Sequence, residues 1–285
     1  MLPTWVVIGA GRCGLQLARS MAASGLEILG VEVRSPRSRR RTARALPGAP
    51  TFGPHRALPP ATGVLVAVPD DGIAACAAAL APRVHANTKV ALHASGLVGA
   101  AALGPLARGG RALAALHPLV SFPAPTGPLV PLSGALAVVE GTPAGVRAAT
   151  WLARRLGMHP LRLATSAKPR YHAAAAIASN LTHALVAVAA REMALAGVPR
   201  RRAIEGLRRL VGGSVAAALE ARGMERLTGP LARGDAGAVA LHLASLPVAV
   251  ADAYRTVGML VVTALAAEQL LSPRQVRDLN AALTE

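Results

Sequence analysis

The chain has 285 residues, with 31 lysines and arginines against 14 acids and a formal net charge of +17. Such a charge suggests nucleic acid, but aromatic residues make up only 2% of the chain. That is too few for base-stacking platforms, no DNA- or RNA-binding motif is present, and no nucleic-acid partner is expected. Hydrophobic residues reach 53%, yet most of this is alanine and the longest apolar runs are interrupted. Asn180 and His183 break the run 172–190, and Asp252 and Arg255 break 246–267, so neither reads as a membrane span. Both read instead as buried helices of a helical core or a subunit interface, and a homodimer built by the C-terminal helices is expected. The two cysteines, Cys13 and Cys76, offer no disulfide framework, and no signal peptide is read ahead of the first strand. A reducing, cytoplasmic setting without a metal site is expected.

In chain order, Trp5 to Ile8 reads as a buried parallel strand and Leu15 to Ala23 as a helix. Between them Gly9-Ala10-Gly11-Arg12-Cys13-Gly14 supplies Gly-x-Gly-x-x-Gly in the strand–turn–helix context of a dinucleotide fingerprint. Gly9 permits the tight turn, Gly11 lets backbone approach a pyrophosphate, and Gly14 lets helix and strand pack closely. The helix N-terminus adds unpaired N–H groups and a positive dipole end. Residues Gly9 to Gly14 are therefore candidate cofactor ligands, with Cys13 a small filler rather than a nucleophile. The second strand reads as Ile28 to Val33. At the position where NAD enzymes carry a ribose-binding acid stands Arg34, followed by Ser35. A guanidinium there pairs with a 2′-phosphate and Ser35 adds a hydroxyl, which favours NADP. Glu32, two residues earlier, is the NAD-type acid if the strand ends elsewhere, so NAD stays the lesser alternative.

Val64 to Val68 reads as the next strand, running into Pro69-Asp70-Asp71, with Val68, Pro69 and Asp70 also assigned to the cofactor site, and a helix over 72–80 follows. Val90 to Leu92 is a strand ending in His93-Ala94-Ser95-Gly96, and Ala112 to Leu116 a strand ending in His117 and, beyond it, Ser121. A Pro-rich loop (123–131), a strand (135–139), a helix (144–156) and a last strand (161–163) complete the alternation. The pattern implies an α/β class: a Rossmann, doubly wound, mainly parallel sheet, followed by an all-helical C-terminal domain. Ligands bind such sheets at the carboxyl ends of the strands, which places Asp70, His93, Ser95, His117 and Ser121 on one edge. His93, Ser95, His117 and Ser121 are the candidate substrate-binding residues.

From Ser166 the pattern is helical only, giving expected domains 1–164, which binds the cofactor, and 165–285, which covers substrate and dimerises. Only Lys89 and Lys168 are lysines. Where arginine serves as the cation almost everywhere, a lysine is wanted for what arginine cannot do, which is titrate. A helix over 171–195 stepping about 100° per residue puts Lys168, His172, Ser179 and His183 on one stripe, with Asn180 at its edge. Further helices read over 201–211, 214–222, 236–245, 249–267 and 273–283.

The glycine loop, Val68-Pro69-Asp70-Asp71, His93-Ala94-Ser95-Gly96, His117-Pro118-Leu119-x-Ser121-Phe122, Lys168-x-x-Tyr171-His172, Ser179-Asn180 and Leu227-Thr228-Gly229-Pro230-x-Ala232-Arg233-Gly234-Asp235 occur in that order. Together they resemble the Rossmann-like proteins whose C-terminal half is the domain of unknown function 2520. That group is similar to 6-phosphogluconate-dehydrogenase-like reductases, among them ketopantoate, pyrroline-5-carboxylate and imine reductases. The resemblance implies an NAD(P)-dependent reductase that dimerises through its helical half and acts on a small carboxylate-bearing substrate. Ketopantoate or another 2-oxo acid is the first candidate, a cyclic imine the second. In the hydroxyacid and ketopantoate branches an asparagine follows the catalytic lysine by four residues. Here His172 stands at that distance from Lys168 and Asn180 lies farther on, so proton donation is open between Lys168 and His172. A non-catalytic NADP-binding sensor is the rival from another class.

Overall fold

The computed structural model describes residues 3–284. Its first part builds an eight-stranded sheet: β1 (Trp5–Ile8), β2 (Ile28–Glu32), β3 (Thr51–Phe52), β4 (Gly63–Val66), β5 (Val90–His93), β6 (Ala112–Pro118), β7 (Leu136–Gly141) and β8 (His159–Arg162). The order across the sheet is β3-β2-β1-β4-β5-β6-β7-β8. Every pairing is parallel except β6 with β7, which is antiparallel. All four residues of β1 are buried, as expected of a central parallel strand covered on both faces. One face carries α1 (Arg12–Ala23), α2 (Pro36–Ala45) and α4 (Pro143–Arg155), and their core includes Leu15, Ala45, Leu152 and Val7. The other carries α3 (Ile73–Leu80) and a 3-10 segment, Ala100–Ala107, over Val6, Ile8, Val66 and Leu103.

The remaining helices are α5 (Lys168–Ala176), a π-turn (Ile177–Leu181), α6 (Thr182–Leu195), α7 (Arg200–Glu220), α8 (Pro230–Arg233), α9 (Ala236–Ser245), α10 (Val248–Ala267) and α11 (Pro273–Thr284). The chain divides into two compact units, Met1–Ser179 and Asn180–Glu285. The division falls inside the π-turn, and Lys168 at the start of α5 is tied to the turn after β5 through Ser95 and to β7 through Glu140. In the second unit α6 packs on α7, and α9 and α10 pack on α11 around Val239, Leu243, Val262, Leu265, Leu279 and Leu283.

Several local expectations change. The edge strand β3 has only two residues, too few for a period to register. The two helices expected over 201–211 and 214–222 are one, α7, since Gly212 and Gly213 sit in an exposed helix facing open space, where glycine weakens a helix without ending it. The regular step of 3.6 residues fails over Ile177–Leu181, so the polar stripe drawn from Lys168 does not carry through to Ser179 and His183. Finally, the apolar runs are not buried within the chain. Two helical segments, Thr165–Leu195 and Val248–Ala267, are long and apolar enough to cross a membrane by length and composition, and little of either is covered.

One polar tie fixes the sheet's long loop. Gln16 on α1 is fully buried; its amide nitrogen donates to the carbonyls of Ala124 (2.8 Å) and Pro128 (3.0 Å), and its oxygen accepts the Val130 N–H (3.0 Å). Arg19, one turn on, donates to the carbonyls of Pro125 and Gly127. A single helix thus supplies the partners that the backbone of 124–130 cannot find in a sheet. Gln16→Ala removes three hydrogen bonds and is expected to destabilise the first unit by about 3 kcal/mol, with earliest proteolytic cleavage in the Pro-rich loop. Urea denaturation and limited proteolysis check both.

Candidate functional site

The glycine loop leaves β1 at the carboxyl edge of the sheet. Gly9 has φ +107°, and a Cβ there would overlap the Ala67 carbonyl oxygen. A Cβ on Gly14 would overlap the Gly9 carbonyl, so strand and helix touch backbone to backbone, whereas Gly11 faces open space. Gly11 is the N-cap of α1, and no side chain caps that helix end, so its first N–H groups are left for an anion. The loop therefore fits a dinucleotide pyrophosphate on geometry. Arg12 is exposed beside it, Ala10 is buried, and burial pushes the Cys13 thiol up to about 12, which keeps it protonated and inert. From the adjacent β4, Val68 and Pro69 lead into a 3-10 turn that opens with Asp70, facing the same edge.

At the end of β2 the two competing cofactor signals separate. Glu32 is the last residue of the strand and its carboxylate is bound by Arg83 at 2.7 Å, with 3% of its side chain exposed. Arg34 is exposed just beyond. Ser35 is committed as N-cap of α2, accepting the Ser38 N–H at 3.1 Å and completing a capping box with that residue, which leaves its hydroxyl less free than expected.

The centre of the edge is formed where β5, β6, β7 and α5 meet. Lys168 is fully buried. Its Nζ donates to the Ser95 carbonyl at 3.2 Å and lies 3.9 Å from Glu140 Oε2 on β7. Burial lowers its pKa, while the charges of Glu140 and then Asp70 work in the opposite direction. Glu140 is itself held on both oxygens: Oε2 accepts the Ala100 N–H at 2.8 Å and Oε1 the Thr165 hydroxyl at 2.9 Å. Ser95 Oγ accepts the N–H groups of Leu97 and Val98, leaving its proton to donate. His93 is fully buried, its Nδ1 accepts the Ser95 N–H at 3.2 Å, and burial followed by the nearby Lys168 charge lowers its pKa to about 4. It is a neutral group supporting the Ser95 turn.

Beside this pair lies an aromatic cluster. His117 Nδ1 and the Tyr171 hydroxyl are 2.8 Å apart, and the His117 and His172 rings meet edge-to-face at 5.9 Å. Burial first, and then the charges of His172 and Lys168, lower His117 to about 4; burial raises Tyr171 to about 12. Both stay neutral near pH 7, and the His117 tautomer sets which of the two donates. Gly96 makes room for the ring, since a Cβ there would come within 2.9 Å of it. His172 keeps a buried Nδ1 with no protein partner.

The structure thus brings together Lys168, His172, His93, Ser95 and His117, with Asp70 near enough to act on the titration of three of them. Ser121 is exposed beyond β6, outside this cluster, and Asn180 is exposed in the π-turn and belongs to the second unit. Two members escaped the sequence reading, Glu140 and Tyr171. An acid ending the apolar run Leu136 to Val139 was the available signal for Glu140. Tyr171 carries no signal of its own in the sequence beyond its place in the Lys168-x-x-Tyr171-His172 motif.

Residues 4–118 match the model of the Rossmann-like domain and residues 135–260 that of the domain of unknown function 2520. No curated protein matches the sequence. Among solved structures, a Bacteroides fragilis protein provisionally assigned as an NADP oxidoreductase superimposes with TM-score 0.75 at 18% identity, covering 98% of each chain. A Thermotoga maritima protein does so with TM-score 0.64 at 23% identity, over 99% of this chain and 100% of the other. A Plasmodium falciparum pyrroline carboxylate reductase with NADP bound gives TM-score 0.58 at 10% identity over 98% of both chains. At these identities the likeness shows a shared fold. With both family models matched in sequence order, the chain is a Rossmann-like protein whose C-terminal half is the domain of unknown function 2520.

Proposed function

We propose that this chain is an NADPH-dependent reductase of a small carboxylate-bearing carbonyl compound, with 2-oxo acids such as ketopantoate as first candidates. The observation that carries the proposal is the enclosed Lys168, wedged between the Ser95 carbonyl and Glu140 on the sheet edge that also bears the glycine loop. A buried lysine with a lowered pKa is unusual for a structural role and usual for a proton-transferring one. A nicotinamide supplies the hydride. The protein's residues supply position and protons. Exposure divides the work, because Lys168 is closed off whereas Tyr171 and His172 are partly open. His172 then donates the proton to the developing oxyanion, while the enclosed Lys168 holds positive potential on the same sheet edge. The Ser95 hydroxyl and the His117–Tyr171 pair orient the reacting oxygen. A cyclic imine is the second reading, supported by full-length superposition on a pyrroline carboxylate reductase.

NADP is preferred because Arg34 is exposed at the ribose end while Glu32 is already engaged. Titration by intrinsic nicotinamide fluorescence is expected to give tighter binding of NADPH than of NADH, with the difference lost in Arg34→Ala. Equal affinities in the unaltered protein would count against NADP.

A screen of NADPH consumption against 2-oxo acids and cyclic imines identifies the substrate and separates a reductase from a cofactor-binding sensor. With a substrate in hand, Lys168→Met and His172→Ala are each expected to lower turnover by about 10² or more while leaving NADPH affinity nearly unchanged. Lys168→Arg should fail almost as badly, since a guanidinium holds its proton. A double variant with full turnover would place the chemistry elsewhere.

We also propose a homodimer through the second unit. Leu195, Leu219, Leu241, Val248 and Leu260 are each at least 70% exposed on its helices, more apolar surface than a monomer keeps in water. The Val248–Ala267 helix is read as part of this seam and not as a membrane span. Light scattering without detergent is expected to give twice the 28.9 kDa chain mass; a monomer across the concentration range would refute it.

A further inference from the structure

The carboxyl end of β2 holds both a residue suited to NAD and one suited to NADP, and the structure shows why they coexist. Glu32 closes the strand where a Rossmann acid binds the two ribose hydroxyls. Left free, that carboxylate would repel a 2′-phosphate. It is not free: Arg83 Nη2 binds its Oε2 at 2.7 Å, and only 3% of the Glu32 side chain and 13% of the Arg83 side chain are exposed.

Arg83 is held in place from several sides. It follows α3, its Nε donates to the Arg56 carbonyl at 2.8 Å, its own carbonyl accepts the Leu58 N–H at 2.9 Å, and its N–H bonds back to Leu80 at 2.8 Å. The guanidinium therefore reaches Glu32 from a fixed base and loses little further freedom in pairing. The same end of the sheet carries Arg34. The Cys76 thiol on α3, raised chiefly by burial, feels Glu32, Arg34 and Arg83 together, so three charges share one neighbourhood, two positive and one negative.

We infer that Arg83 is a specificity-determining residue: by binding Glu32 it withdraws the acid from the ribose and neutralises it, so that Arg34 alone sets the sign of the field and a 2′-phosphate is accepted. The inference deepens the NADP reading above and rests on it. Arg83 positions and neutralises, and Arg34 makes the phosphate contact.

The test is a four-protein comparison of NADPH and NADH dissociation constants by fluorescence titration: wild type, Arg83→Met, Glu32→Gln and the double variant. In Arg83→Met the freed carboxylate is expected to weaken NADPH about tenfold or more, with NADH binding kept or strengthened. Glu32→Gln alone should hold NADPH within about twofold and leave NADH unweakened, because the acid is already out of use. The double variant should recover the wild-type preference, since no carboxylate is left to mask. Wild type favouring NADH, or favouring neither, overturns both the NADP reading and this inference. Wild type favouring NADPH with the preference intact in Arg83→Met overturns the inference alone. So does a double variant as weak for NADPH as Arg83→Met, which would make Arg83 a direct phosphate ligand. Should Arg83→Met fail to fold, Glu32→Gln decides: a large loss of NADH binding would show that Glu32 already holds the ribose, contrary to the inference.

Discussion

The first unit is organised around one enclosed cation. Withdrawing an ammonium from water costs on the order of several kcal/mol unless partners replace its hydration. For Lys168 those partners are the Ser95 carbonyl and the Glu140 carboxylate. Neither suffices unless it is itself fixed. Ser95 is held by its own turn, through Leu97, Val98 and the His93 ring, and Glu140 by the Ala100 N–H and the Thr165 hydroxyl. Four pieces of chain are thereby tied at one point: the end of β5, the 3-10 segment after it, the antiparallel strand β7 and the start of α5. The register of β7 places the acid: Glu140 pairs with Ala115, and Ala115 pairs in turn with His93, so Glu140 lies level with the carboxyl end of β5.

Much of this was legible in the sequence, for identifiable reasons. The glycine loop is local: spacing, the flanking strand and the following helix lie within twenty residues, and the structure places them as read. The strand ends at Asp70, His93 and His117 could be aligned because β4, β5 and β6 are adjacent and parallel, which the alternation of strands and helices implies. Glu140 carries only a weak local signal, an acid ending an apolar strand, because its importance lies in Lys168, 28 residues away in sequence and on another element. The π-turn was missed for a different reason: Ile177-Ala178-Ser179-Asn180-Leu181 contains no proline or glycine, and nothing local distinguishes it from α-helix.

The β2 terminus shows the same limit from another side. Glu32 and Arg34 stand two residues apart and point to different cofactors, so position in the sequence leaves both readings standing. What separates them is Arg83, 51 residues later, brought to the strand end by the return of the chain after α3. A fingerprint acid is informative only while its carboxylate is free, and that is a tertiary property.

The second unit obeys a different constraint. Its helices are rich in alanine, whose small side chain favours helix but buries little area per residue, and the described core holds mainly Val239, Leu243, Val262, Leu265, Leu271, Leu279 and Leu283. The larger side chains Leu185, Leu210, Leu219 and Leu260 point outward. The unit thus has an interior of leucine and valine and also carries large apolar side chains on its outer faces. Exposed apolar faces of this kind mark interaction surfaces, and a second copy of the chain is the partner we propose for them. The apolar runs that read as buried helices in the sequence are thus left largely uncovered within the chain, and the proposed dimer is the reading that accounts for their composition.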